Sequence, residues 1–131
     1  MKLVLDTNAY SDFSEGRPEV VDLMAQNADS LFLPTVVIGE LMYGFRKGKR
    51  QKRNDEMLAR FIREFDVTVL PVDIDTAGHY AALYLALSTR GTPIPINDVW
   101  IAACCRNIGG TLLTRDRHFE AIPEIEKILV A

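Results

Sequence analysis

Cysteine is scarce in this 131-residue chain, and the two present, Cys104 and Cys105, are neighbours. Adjacent residues cannot staple distant parts of a fold, so a disulfide scaffold is excluded. With no third cysteine, a thiolate zinc site from that pair is too short of ligands. Such usage fits a reduced, cytoplasmic protein. Long apolar runs are also missing: none approaches the roughly 20 residues that cross a bilayer. The leading "MKLVLDTN" meets Asp6 too early for a secretory signal, so no membrane partner is expected. There is no internal repeat, low-complexity tract or linker. A surplus of positive charge is lacking too, the net being −3.

The cations that do occur are unevenly placed. "RKGKRQKR", residues 46 to 53, gathers Arg46, Lys47, Lys49, Arg50, Lys52 and Arg53. It is either a solvated helix end or a polyanion contact, since clustered Lys and Arg collect phosphates by releasing counterions.

What remains is ordinary globular material, 48% apolar and 25% charged, enough for a single domain over residues 1–131. Lys2 to Leu5 reads as a strand, stopped by a loop at Asp6-Thr7-Asn8. Pro18 opens a helix that runs to about Asn27. "SLFLP" is a second strand, after which Thr35 can cap a helix carrying Glu40. "NDEMLARFIREF" has helical spacing and "VTVLPV" is a third strand. The helix "DTAGHYAALYLALSTRG" ends at Gly91. "PINDVWIAACC" supplies another, with Asn97 and Asp98 as capping residues, closed by Gly109 and Gly110. "TLLT" and "EKILV" complete the set. Short aliphatic strands alternating with helices predict an α/β fold, a central parallel sheet with helices on both faces.

Ligands of such sheets bind beyond the carboxyl ends of the strands. Asp6 follows the first strand and Asp116 follows "TLLT". Asp98 begins a helix near that edge, and Glu40 lies one turn into the helix after the second strand. Each interrupts apolar surroundings, where a lone charge is costly. Taken singly, Asp6 and Asp116 read as turn residues, Glu40 as a surface acid and Asp98 as a cap. Together they read as a carboxylate cage, whose repulsion a hard cation, Mg²⁺ or Mn²⁺, would relieve. Such a cage serves phosphoryl chemistry.

"VLDTNAYSDF", "TVVIGELMYG", "PIPINDVWIAA" and "LLTRDRHF", in this order across nearly the whole chain, resemble the PIN-domain ribonucleases, specifically the VapC toxins of toxin–antitoxin pairs. The resemblance implies a three-layer PIN-like sandwich and an Mg²⁺-dependent endoribonuclease that uses a metal-activated water. It places the family's metal-binding and catalytic acids at Asp6, Glu40, Asp98 and Asp116, the last direct or through water. Thr7, Asn8, Asn97 and Thr114 match the supporting polar positions. It further implies a homodimer, an RNA substrate and a cognate VapB-type antitoxin. Promoter DNA would be bound only through that antitoxin, since this chain shows no helix-turn-helix signal.

Arg46, Lys47, Lys49, Arg50, Arg115 and Arg117 are candidate RNA contacts, although Arg115 and Arg117 suit salt bridges with neighbouring acids equally well. His79 and His118 read as structural, Trp100 as core, and Tyr10 and Phe13 as core or antitoxin platform. Three competing functions fit the sequence less well. A haloacid-dehalogenase-like phosphatase wants a second Asp where Asn8 stands. A receiver domain wants a mid-chain Asp and a late Lys, and Asp66 and Lys127 are not at the ends of suitable strands. A non-catalytic PIN-fold subunit would not need all four acids.

Overall fold

Among the described residues, 1–27 and 29–131, the computed structural model holds five strands and six α-helices. The strands are β1 (Lys2–Leu5), β2 (Ser30–Pro34), β3 (Thr68–Leu70), β4 (Thr111–Thr114) and β5 (Glu126–Leu129). All pair in parallel, in the order β3-β2-β1-β4-β5. Between them run α1 (Thr7–Ser14), α2 (Pro18–Asn27), α3 (Thr35–Lys47), α4 (Gln51–Glu64), α5 (Ile74–Arg90) and α6 (Ile96–Asn107). A 3₁₀ turn, Arg117–Ala121, joins β4 to β5.

Successive side chains of a strand point to opposite faces, yet Leu3, Val4 and Leu5 are all fully buried. Helices therefore cover the central strand on both sides, as the aliphatic runs predict. Edge strand β5 buries far less. The chain leaves β1 toward β2 and β3, then crosses back to lay β4 on the other side of β1. Connections from β1 and β4 thus depart in opposite directions, which opens a crevice at the carboxyl ends of these two strands.

Three local readings are corrected. Asp6-Thr7-Asn8 does not open a loop: Asp6 caps α1, whose Ala9, Tyr10 and Phe13 pack into or against the core. Thr35 is not a cap; Pro34 holds that position, and the Thr35 hydroxyl donates to the Leu70 carbonyl at 2.7 Å. Asn97 and Asp98 lie inside the first turn of α6, which starts after Pro95 without a side-chain cap. Releasing both side chains from capping leaves them free to face the crevice.

The far end of α6 shows why two glycines close it. The Gly110 amide donates to the Cys105 carbonyl at 3.0 Å, the Gly109 amide to Arg106 at 3.1 Å, and Gly109 has φ 63. This is a Schellman ending, which satisfies carbonyls the helix would leave unpaired. Gly110 then enters β4 against β1. A Cβ there would lie 2.8 Å from Val4 Cγ2 and 3.3 Å from the Lys2 carbonyl oxygen. Val4 is fully buried and β-branched, so it has little room to yield. Gly110→Ala should lower stability by about 1–3 kcal/mol, seen as a reduced urea midpoint at unchanged slope.

Candidate active site

Asp6 sits where β1 becomes α1, at the crevice. Its Oδ1 accepts the Ala9 amide at 2.8 Å, and its Oδ2 accepts the Thr114 hydroxyl from the end of β4. Only 3% of the residue is exposed. Burial pushes its pKa up to about 6, against the two hydrogen bonds and with the added repulsion of Asp116 and Asp98.

Glu40 reaches the same place from α3, and its two oxygens are held from different elements. Thr7, the first residue of α1, donates its hydroxyl to Oε1 at 2.8 Å. Asn97 of α6 donates its amide to Oε2 at 3.4 Å. Asn8 is half-buried on α1, next in sequence to Thr7.

Asp98 is half-buried on α6, and Asp116 stands at the start of the 3₁₀ turn. The Asp116 amide donates to the Thr114 hydroxyl oxygen at 2.9 Å, so Thr114 links Asp6 to Asp116. His118 Nδ1 lies 3.0 Å from Asp98 Oδ2 and 3.1 Å from Asp116 Oδ1. Burial raises the Asp98 pKa; the His118 contact opposes the shift, and Asp116 and Glu40 add to it. The carboxylates thus share one field: Asp6 feels Asp116 and Asp98, and Asp98 feels Asp116 and Glu40. Among the described residues, no lysine or arginine forms an ion pair with any of the four; His118 is their basic neighbour.

Asp98, Asp116 and His118 each offer a ligand atom within 4.8 Å of the others, close enough to hold one cation. Sequence reasoning placed His118 in a structural role, whereas its ring bridges two of the acids. The available signal was its spacing, two residues beyond Asp116. It also did not single out Asp12, a buried acid of α1 paired with Arg115.

Other candidates lie apart. Arg46 and Lys47 end α3, some two turns beyond Glu40, and the run to Arg53 is exposed throughout. Arg117 pairs with Glu120 at 2.5 Å. Trp100 is half-buried and stacks on Tyr80 with ring centroids 3.8 Å apart. Cys104 and Cys105 are buried, and burial pushes their thiols up to about 11 and 12, so they serve as apolar filling. Lys127 donates to the Ile122 and Ile125 carbonyls, away from any receiver-type position.

Residues 3–125 match the family model of the PIN domain. Ribonuclease VapC2 of Haemophilus influenzae is 31% identical over 93% of this chain and 92% of its own. The chain belongs to the PIN-domain family, among the VapC ribonucleases. A further relative of this PIN domain is the tRNA(fMet)-specific endonuclease VapC of Salmonella typhimurium, 29% identical over 95% of each chain. Among solved structures, the DNA-bound VapBC of Salmonella typhimurium superposes with a TM-score of 0.86. It is 27% identical, with 98% of this chain and 97% of that one covered. VapBC2 of Rickettsia felis, bound to a promoter DNA fragment, gives 0.84 at 25% identity and 98% coverage of both chains.

The raised Asp6 pKa has a measurable consequence in metal-free protein. An unfolded aspartate ionises near 3.8, the folded one near 6, so between these values the native state holds the extra proton. Stability from this group therefore falls as pH rises through that window. Asp6→Asn retains an oxygen for the Ala9 amide and removes the buried charge. In EDTA at pH 7 it should be more stable than the parent by on the order of 1–3 kcal/mol, the two converging near pH 4. Urea unfolding from pH 4 to 8 reads this; identical profiles would contradict the assignment.

Proposed function

We propose that this PIN domain is the toxin of a type II toxin–antitoxin pair, an Mg²⁺-dependent endoribonuclease that hydrolyses RNA phosphodiester bonds. The observation that carries the reading is the convergence of Asp6, Glu40, Asp98 and Asp116, from different elements, with no lysine or arginine among the described residues paired to them. Mutual repulsion at a buried edge has little structural use, and a divalent cation removes it. The donors are hard carboxylate oxygens, which suit Mg²⁺ or Mn²⁺. Asp6, Glu40 and Asp98 would hold the ion, with Asp116 direct or through water. When bound, such an ion polarises a phosphoryl oxygen and makes water a better nucleophile at neutral pH.

The chain's own groups prepare that site. Thr114 and the Ala9 amide aim Asp6, and Thr7 and Asn97 aim Glu40. Each carboxylate oxygen keeps a second lone pair for the ion. His118 holds Asp98 and Asp116 together from the solvent side. The basic run from Arg46 to Arg53 is exposed, with the Lys47 ammonium over the Tyr43 ring, and would meet phosphates along an RNA strand. The solved relatives from Rickettsia felis and Salmonella typhimurium are VapBC complexes with DNA, which supports a VapB-type antitoxin as partner and DNA binding through it. The chain would act in the cytoplasm as a homodimer.

RNA cleavage by purified, antitoxin-free protein is the direct test. Activity should need Mg²⁺ or Mn²⁺ and stop with EDTA. Asp6→Asn and Glu40→Gln should each reduce the rate by at least about a hundredfold while the circular dichroism stays native. Variants cutting RNA as fast as the parent would sink the assignment of these acids.

A further inference from the structure

Asp12 is a carboxylate with 2% exposure, buried on α1. A buried charge is costly unless paired, and here each oxygen has its own guanidinium. Arg115 Nε lies 3.0 Å from Oδ2 and Arg17 Nε 3.2 Å from Oδ1. Both arginines remain substantially exposed, so the buried member of the cluster is the acid.

The position of Arg115 gives the pair its meaning. It stands between Thr114, which links Asp6 to the Asp116 amide, and Asp116 itself. Asp116 in turn accepts the His118 amide at 2.9 Å. Two carboxylates of one short helix region therefore grip consecutive residues where β4 gives way to the loop: Asp6 holds Thr114, the last of the strand, and Asp12 holds Arg115, the first beyond it. A hydroxyl contact alone leaves the following residue free to swing. A second anchor, 103 residues away in sequence, fixes the direction in which the loop leaves the strand.

We infer that the Asp12–Arg115 ion pair is a positioning device that aims Asp116 and His118 into the acidic site. Arg115 is thereby a positioning residue, its guanidinium turned to α1. The inference rests on the proposed metal site for its functional consequence, while its structural part concerns the loop alone.

Two variants test it, each leaving a tolerable remainder. Asp12→Asn keeps the shape and releases two exposed guanidiniums to water. Arg115→Gln leaves Asp12 paired with Arg17. Native circular dichroism would establish that both fold. In metal-free protein, the Asp116 and His118 amides should exchange hydrogen at least about tenfold faster in both variants. Calorimetry with MnCl₂ should show affinity reduced by about tenfold, the usual scale for losing a group that orients a ligand. Affinity for a single-stranded RNA in EDTA should stay within about twofold. Unchanged exchange and unchanged Mn²⁺ affinity in both variants would overturn the inference. So would weaker RNA binding by Arg115→Gln alone, which makes Arg115 an RNA contact. If the parent protein takes up no Mn²⁺, the metal-site reading fails, and amide exchange still decides whether the pair holds the loop.

Discussion

The site depends on one carboxylate that the fold buries and then surrounds with donors. Asp6 terminates the central strand, starts the first helix and receives a hydroxyl from the neighbouring strand. A side chain with those three duties cannot move without disturbing β1, α1 or β4. Burial makes its ionised form costly, and the nearby acids add to that cost. The protein therefore carries, at the middle of its sheet edge, a group whose charge is tolerated best when a cation sits opposite.

Parallel topology accounts for the arrival of the other acids at the same place. All five strands point their carboxyl ends one way, and the reversal between β1 and β4 leaves a gap there. Helices α1 and α3 follow strands and begin at this edge, so Thr7 in the first turn of α1 and Glu40 in the second turn of α3 are natural wall material. Helix α6 follows α5 and brings Asn97 and Asp98 to the same place from its first turn. Positive ends of helix dipoles face the crevice as well, which offsets part of the acidic field. Stability and chemistry are drawn from different depths of the same elements: Leu3, Leu33 and Leu112 fill the core behind, and the acids stand at the rim.

Much of this was legible in the sequence because apolar runs that end in a charge mark both a strand boundary and a site. Asp6 after "LVL" and Asp116 after "TLLT" were found that way, and Gly91 and Gly109 marked real left-handed helix ends. The first helix was hidden because "TNAYSDFS" is short and rich in residues that favour turns, so tertiary packing of Ala9, Tyr10 and Phe13 decides its form. Capping was misread at Thr35 and Asn97 because proline can start a helix and leave those polar side chains for longer reaches. His118 and Asp12 escaped for a related reason. Each has a near neighbour as one partner, but the contact that brings it to the site, to Asp98 and to Arg115, spans 20 and 103 residues, and no local pattern reports such distances.

The Tyr80–Trp100 stack gives the molecule an optical property. Trp100 is the chain's single tryptophan, and it rides on α6 two residues beyond Asp98, its indole parallel within 13° to a phenol ring of α5. Tryptophan emission, excited selectively over the four tyrosines, therefore originates at one point, on the helix that carries Asn97 and Asp98. Any displacement of α6 against α5 changes how that excited indole is quenched. The wall of the crevice is in this sense self-reporting, without an added label.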